Sequence, residues 1–130
     1  CLPPTSPLRS VEDVERCIGE LVASGADMVY SVTEAGCNPY YNMVELDAEG
    51  YAQVVMPQER RPYRRQDAPV VYDSTTVAYA VQPEYVFRTQ AFFSGRVKAI
   101  EVPRERALEI DTEMDFHFAE FMMSRRREGE

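Results

Sequence analysis

Residues 10–33 read SVEDVERCIGELVASGADMVYSVT, and this stretch decides the class of fold. Apolar side chains recur in it at helical spacing on one face: Val11, Val14, Cys17, Ile18, Leu21 and Val22. Ser10 and Asp13 have the spacing of a capping box, so we predict an amphipathic helix over residues 11–24. The β-prone run 27–33 follows directly. A helix that leads into a strand in this way predicts an α/β fold with a buried sheet.

Further elements are predicted on both sides of residues 56–69, a segment rich in proline and arginine whose prolines forbid regular structure. Before it, residues 42–46 and 51–55 flank a turn closed by Gly50 and predict a β-hairpin. After it, the residue preferences predict two strands and two helices. The strands cover 70–81 and 97–102, and the helices cover 83–89 and the stretch from a Thr112 and Asp115 capping pair to about residue 124.

The composition limits the class of protein. The chain has 130 residues, of which 45% are hydrophobic, enough for one domain or a part of one. It has no apolar run of membrane-spanning length, and its first residues lack the pattern of a signal peptide. The net charge of -8 argues against a nucleic-acid or membrane partner, although a site for a small anion can still be locally basic. Three cysteines without metal-type spacing predict a reduced, cytoplasmic protein, with Cys17 in its core.

Residues 109–116, EIDTEMDF, carry the clearest chemical signal. We interpret them as a strand-to-helix junction, on which Glu109 and Asp111 lie two residues apart and share one face. Two carboxylates at the end of a strand form a site for a hard cation, and Mg²⁺ held in this way usually also binds substrate phosphates. The alternative is that both are ordinary surface acids, which are favourable near the N-terminus of a helix.

Four other features allow both a functional and a structural interpretation. The four arginines between residues 60 and 65 suit carboxylate, phosphate or nucleic-acid binding, but they equally suit a solvated basic loop. Phe92 and Phe93 form either an apolar wall against a ligand or a satellite of the core. The hairpin segment 38–58 is either a contact with a second subunit or a flap that faces solvent. His117, the single histidine, is expected to be structural or exposed.

Taken together, these motifs resemble one family of enzymes. The matching stretches are residues 4–9 (PTSPLR), 64–69 (RRQDAP) with Tyr72 and Tyr79, and 110–116 (IDTEMDF). Their order and spacing are similar to those of the acylneuraminate cytidylyltransferases, the CMP-sialic acid synthetases and their relatives acting on legionaminic and pseudaminic acids. The resemblance extends over nearly the whole chain.

The resemblance implies a nucleotide-diphospho-sugar transferase fold, an α/β/α sandwich around a mixed, mostly parallel sheet. It also implies the reaction: the anomeric hydroxyl of a nine-carbon sugar acid attacks the α-phosphorus of CTP, so that pyrophosphate leaves and a CMP-sugar forms. Such a reaction depends on positioning and on neutralisation of charge, which Mg²⁺ and arginine supply. A homodimer with shared active sites, built through the hairpin segment, is implied as well.

The resemblance further implies roles for single residues. Asp111 would be a catalytic Mg²⁺ ligand with Glu109 as the neighbouring ligand, and Arg65 would be catalytic and would face the acidic sugar. The remaining substrate contacts that it implies are Gln66, Thr75, Tyr79, Phe92 and Phe93. Among these, the three aromatic residues would line the pocket for the acyl-amino group of the sugar.

The chain also departs from the family's pattern. Pro3 stands where the family has glutamine, Thr75-Thr76 stands where it has Asn-Gly, and Glu109 replaces an aspartate. The N-terminal nucleotide-binding part, with the phosphate loop that holds CTP, is missing from the sequence. We therefore expect residues 1–130 to form one partial domain that carries the sugar side and the metal side and is inactive alone. The alternative is a non-catalytic module that keeps sugar binding or dimerisation. The sequence does not specify which nine-carbon acid is used.

Overall fold

The structure, a computed structural model, describes residues 1–59 and 62–128. Its helices are α1 (Val11–Ser24), α2 (Pro83–Arg88) and α3 (Glu113–Glu128), and its strands are β1 (Met28–Glu34), β2 (Val44–Leu46), β3 (Ala52–Val54), β4 (Tyr72–Val81) and β5 (Val97–Glu101). The chain divides into two units, one formed by Cys1–Thr33 with the chain from Ser74 onward, the other by Glu34–Asp73. Within the described residues, no helix combines the length and the apolar character needed to cross a membrane.

Helix α1 forms over the residues that the sequence predicts, because both of its ends are fixed locally. Ser10 is the N-cap: its hydroxyl accepts the N–H of Asp13 at 3.3 Å, and its own N–H donates to the Asp13 carboxylate at 3.0 Å. Gly25 ends the helix with a φ of 60°, and its N–H donates to the carbonyl of Leu21. This left-handed conformation favours glycine, so the capping box and the glycine together set the helix length.

A mixed three-stranded sheet lies beside α1, with the strand order β4-β1-β5. Strands β1 and β5 are parallel. Strands β1 and β4 are antiparallel. The residue after β4, Gln82, donates to Asp27 just before β1, and the residue after β1, Ala35, donates to Val71 just before β4. The predicted α/β class with a mixed sheet is therefore confirmed.

One face of this sheet packs on α1 to form the core. Cys17 is 1% exposed, as predicted, and its thiol donates to the carbonyls of Val29 and Ala78 at 3.6 Å each. Burial raises the pKa of this thiol, so it stays protonated and behaves as a small apolar side chain. Because neighbouring residues on a strand point to opposite faces, Tyr30 and Tyr79 lie on the face of the sheet away from α1.

The second unit contains the predicted hairpin, although its strands are shorter than the sequence suggests. In the antiparallel pairing of β2 and β3, Val44 lies opposite Val54 and Leu46 opposite Ala52, which gives one apolar face. The other face carries the Glu45 and Gln53 pair. The turn is closed by Gly50, whose φ is 90°. The apolar face is open to solvent in this chain, with Leu46 68% exposed.

The strand predicted just before the last helix does not form. The prediction of a strand-to-helix junction was therefore wrong for the strand. Residues 107–112, all of them described, contain no strand, and β5 ends at Glu101, ahead of a 3₁₀ turn at Arg104–Arg106. The backbone N–H of Ile110 donates instead to the carbonyl of Thr5 at 2.9 Å. Because its neighbour is a loop and not a strand, this segment has no partner with which to build a sheet ladder.

Candidate functional site

Two stretches from opposite ends of the chain meet at the candidate site. In addition to the backbone bond from Ile110, the hydroxyl of Thr5 donates to a carboxylate oxygen of Glu109 at 3.3 Å. Glu109 is partly buried, whereas Asp111, two residues further on, is exposed. The loop around Thr5 therefore orients one of the two predicted metal-ligand carboxylates and leaves the other accessible.

The loop that carries Thr5 is itself fixed at both ends. The guanidinium of Arg9 donates to the carbonyl of Ser6 at 3.0 Å and also to the carbonyl of Pro3. Burial lowers the pKa of Arg9 from its ordinary value, which lies so high that the side chain remains charged. The hydroxyl of Ser6, a residue only 2% exposed, lies 2.5 Å from the hydroxyl of Thr76 on β4. These contacts hold the loop beside the sheet.

The carboxylates fit Mg²⁺ by their chemistry. Magnesium is usually held by one or two protein carboxylates, and it completes its octahedron with water and substrate phosphates. Glu109 and Asp111 can supply that number, although no cluster of three or more potential metal ligands occurs anywhere in the part of the chain that the structure describes. Asp115 has a different task, because its carboxylate accepts the N–H groups of Asp111 at 3.3 Å and Thr112 at 2.8 Å.

The hydrogen bonds to Asp115 complete the predicted capping pair at the start of α3. The hydroxyl of Thr112 donates to the Asp115 carboxylate at 2.7 Å, while the N–H of Asp115 donates back to that hydroxyl at 3.3 Å. The bonds from the Thr112 hydroxyl and N–H lower the pKa of Asp115. Asp115 therefore stays ionised as a cap, and α3 begins at the predicted place but extends to Glu128.

Four aromatic side chains form a cluster on the face of the sheet away from α1: Tyr30, Tyr79, Phe92 and Phe93. The ring of Phe92 lies 5.3 Å from that of Tyr30, 6.0 Å from that of Tyr79 and 4.8 Å from that of Phe93, all in edge-to-face arrangements. Such arrangements are favoured by the ring quadrupoles. Phe92 and Phe93 are 42% and 65% exposed, which suits a wall against a ligand better than a satellite of the core.

The charge of Glu109 acts on one member of the aromatic cluster, Tyr79. The pKa of Tyr79 is raised, first by burial of its hydroxyl and then by the negative charge of Glu109, with a smaller contribution from Tyr30. The charge of Glu109 thus acts on Tyr79, and Tyr79 and Phe92 also line an open groove of about 500 Å³. Sequence reasoning missed Tyr30 as a member of this wall. The available signal was the strand alternation, which places residue 30 on the same face of β1 as Met28, another groove residue.

Thr75, predicted as a substrate contact, does not reach this wall. It is 4% exposed, and its hydroxyl donates at 2.7 Å to the hydroxyl of Ser31, which is fully buried on β1. Its side chain is used to satisfy a buried polar group between two strands, so it offers a ligand almost no surface.

The other predicted sugar-binding residues lie in the second unit. Arg65 donates from one terminal nitrogen to the carbonyls of Ala35 at 3.0 Å and Gly36 at 3.1 Å. A guanidinium has five N–H donors, so others remain for an acidic ligand. Arg65 and Gln66 line one cavity of about 390 Å³. Arg60 and Arg61, the first two arginines of the basic cluster, lie outside the described residues.

Comparison with curated proteins gives three informative relatives, while no protein-family model matches the chain. The chain is 24% identical over 119 residues to post-translational flagellin modification protein B of Campylobacter coli, a match of 92% of this chain and 49% of the relative. It is 31% identical over 87 residues to CMP-N,N'-diacetyllegionaminic acid synthase of Campylobacter jejuni, 67% of this chain and 36% of the relative. It is 30% identical over 112 residues to N-acylneuraminate cytidylyltransferase of Streptococcus agalactiae, 86% of this chain and 27% of the relative.

The chain is thus similar in sequence to proteins named as acylneuraminate cytidylyltransferases and as a legionaminic acid synthase. It spans between 27% and 49% of the length of these three relatives. The residues singled out by the sequence fall into two groups, one in each unit. The first group contains the aromatic wall, Glu109, whose charge acts on Tyr79, and Asp111, two residues after Glu109. The second group contains Arg65 and Gln66, which line one cavity.

Proposed function

We propose that the chain is the sugar side and the metal side of a CTP-dependent cytidylyltransferase that acts on a nine-carbon, sialic-acid-like sugar acid. The observation that carries the proposal is that Glu109 accepts a hydrogen bond from Thr5 and acts electrostatically on Tyr79, whose ring meets that of Phe92 edge-to-face. Three stretches far apart in sequence meet there. The names of the relatives support the same chemistry. We also propose the α/β/α sandwich of nucleotide-diphospho-sugar transferases, with α1 as one of its helical layers.

Each group of residues has a task in this proposal. In the second unit, Arg65 is suited to bind a carboxylate through charge-assisted hydrogen bonds. The aromatic wall packs on the acyl-amino group and keeps water away from it. Glu109 and Asp111 would hold Mg²⁺, and the ion would supply neutralisation of charge on the phosphate oxygens of the nucleotide. Positioning then brings the anomeric hydroxyl to the α-phosphorus of CTP, the oxygen–phosphorus bond forms, and pyrophosphate leaves.

An assay of the protein as its native host produces it tests the function. We expect release of pyrophosphate that requires CTP, Mg²⁺ and one member of a panel of nonulosonic acids together. Omission of the sugar acid and replacement of CTP by ATP are the controls. Binding of a sugar acid without any turnover would favour the second candidate, a non-catalytic sugar-binding or dimerisation module, which is supported by the open apolar face of the hairpin.

We propose further that the hairpin segment 38–58 forms the contact of a homodimer. A hairpin of two strands is marginally stable alone in water, and apolar side chains that alternate with polar ones normally face a partner. Here the apolar face includes Val44 and Leu46, which are 53% and 68% exposed.

The substitution Leu46→Glu is expected to weaken dimerisation by at least about ten-fold, because it places a carboxylate in the proposed interface. Sedimentation equilibrium measures the change. Gln53→Lys places a charge on the opposite, polar face of the hairpin, where it lies opposite Glu45, and is expected to leave the association constant unchanged. Equal effects of the two substitutions, or a wild-type chain that stays monomeric at high concentration, would contradict this interface.

A further inference from the structure

Residues 89–96 connect α2 to β5, and the segment 89–95 of this connection carries Phe92 and Phe93 without being part of a helix or strand. A loop of seven residues has no ladder of backbone hydrogen bonds to fix it. The edge-to-face contacts of Phe92 with Tyr30 and Tyr79 nevertheless require a defined backbone position. The question is which contacts hold the segment in place.

Tyr85 of α2 makes the contacts that join the segment to the helix, in addition to hydrogen bonds among Thr89, Ala91 and Ser94 within the segment. Its side chain is buried, only 4% exposed, and its hydroxyl lies 2.7 Å from the carbonyl of Phe92 and 3.3 Å from that of Ala91. The same hydroxyl accepts the N–H of Gly95 at 3.2 Å. A phenol has one O–H to donate and lone pairs to accept, so a single oxygen joins both sides of the segment.

The ring of Tyr85 also packs tightly on the far end of the segment. A Cβ placed on Gly95 would lie 2.5 Å from the ring carbon Cε2 of Tyr85 and 2.8 Å from the carboxylate of Asp27. Only a glycine allows the backbone to approach so closely. The next residue, Arg96, donates its N–H to that Asp27 carboxylate at 2.8 Å, which fixes the end of the segment at the start of β1.

We propose that Tyr85 is a positioning residue for the acyl-amino pocket of the sugar site. By hydrogen bonding the carbonyl of Phe92, its hydroxyl sets where the ring of Phe92 meets Tyr30 and Tyr79, and thus the size of the apolar wall. The hydroxyl touches no reacting group and acts through Phe92. This inference rests on the proposed function for the identity of the ligand, but the positioning of the segment stands on the contacts alone.

The test compares Tyr85→Phe, which keeps the buried ring, with Tyr51→Phe on the hairpin, where the side chain is 72% exposed. Hydrogen exchange followed by mass spectrometry reports on the segment without any ligand. Losing the hydroxyl is expected to speed exchange of the amides at 89–95 by roughly three- to ten-fold, since one net hydrogen bond is worth about 1 kcal/mol. Unchanged exchange in Tyr85→Phe would overturn the positioning role.

Calorimetric binding of two sugar acids, N-acetylneuraminic acid and its N-butanoyl analogue, tests the consequence for the pocket. The selectivity of the pocket is the ratio of the larger dissociation constant to the smaller one. In Tyr85→Phe this ratio is expected to fall by roughly three-fold or more, because a loosened wall discriminates less between acyl groups. Phe92→Leu should change the same ratio while leaving exchange at Gly95 as in wild type. Faster exchange with an unchanged ratio would overturn the specificity role. If wild type binds neither acid, the proposed function fails, whereas the exchange result still decides the positioning.

Discussion

Replacing Arg106 by alanine is expected to lower the free energy of unfolding by about 3 kcal/mol, because it leaves a buried carboxylate without its partner. Asp13 on α1 is fully buried, at 0% exposure. Two nitrogens of the Arg106 guanidinium donate hydrogen bonds to its carboxylate oxygens at 2.8 Å each. This bidentate geometry is the strong form of an ion pair. Urea unfolding of the wild type and the variant at neutral pH measures the difference.

Arg104→Ala is the matched control for this prediction. Arg104 lies on the same 3₁₀ turn as Arg106, but it is exposed, and exposed charges contribute little to stability. Its replacement is expected to change the free energy of unfolding by less than about 0.5 kcal/mol. Similar losses in the two variants would mean that the turn tolerates no alanine, and the ion pair would not be the cause.

The same pair makes stability depend on pH in a defined direction. Burial alone would raise the pKa of Asp13, but the hydrogen bonds from Arg106 and Ser10 and the charge of Arg106 outweigh it, so this pKa lies below its ordinary value. A depressed carboxyl pKa stabilises the fold above the pKa of the unfolded chain, and this contribution is lost as the pH falls through the folded value. The difference in stability between wild type and Arg106→Ala is therefore expected to shrink in acid.

The ion pair also connects stability to the candidate site. Arg106 precedes Glu109 by three residues, and the pair ties this segment to the first turn of α1. Since no strand holds residues 107–112, the Asp13 pair on one side and the Thr5 bonds on the other fix the position of the Glu109 carboxylate. A change in Arg106 is therefore expected to shift the Glu109 carboxylate through the intervening backbone.

Local signals explain which elements the sequence predicts well. The ends of α1 depend on Ser10, Asp13 and Gly25, all within a few residues of the helix, and its bounds agree with the prediction. Pro83 likewise starts α2 at the expected position, since proline is preorganised for the first turn of a helix. The hairpin turn at Gly50 is equally local.

Contacts between distant residues explain what the sequence could not predict. Residues 109–116 were interpreted as a strand-to-helix junction, but a strand requires a pairing partner, and the neighbour of Ile110 is the Thr5 loop. Threonine is a residue type that is mostly exposed, and only the pairing of β4 with β1 shows that the Thr75 hydroxyl donates to Ser31. Strand alternation indicates the face of β1 on which Tyr30 lies, but its ring partner Phe92 is in a loop more than sixty residues away, which local sequence does not indicate.

Asp111→Asn is expected to reduce the rate of CMP transfer in the protein as its host makes it by at least about a hundred-fold, the scale typical for a lost charge at a phosphoryl-transfer site. The substitution keeps the size of the side chain and removes its negative charge. Because Asp111 is exposed and its backbone N–H, not its carboxylate, bonds to Asp115, the stability of the fold should not change. Single-turnover assays with CTP, Mg²⁺ and the preferred sugar acid measure the rate.

A second measurement separates loss of the metal site from loss of activity for another reason. Mg²⁺ together with CTP is expected to raise the melting temperature of wild type and to do so less in Asp111→Asn, since binding to the folded state stabilises it by mass action. Glu113→Gln is the control, because it removes the same charge from a side chain that is 91% exposed in the first turn of α3. Equal transfer rates in Asp111→Asn and Glu113→Gln would show that Asp111 is an ordinary surface acid. Loss of activity in Asp111→Asn with an undiminished shift in melting temperature would place it in the reaction without the metal.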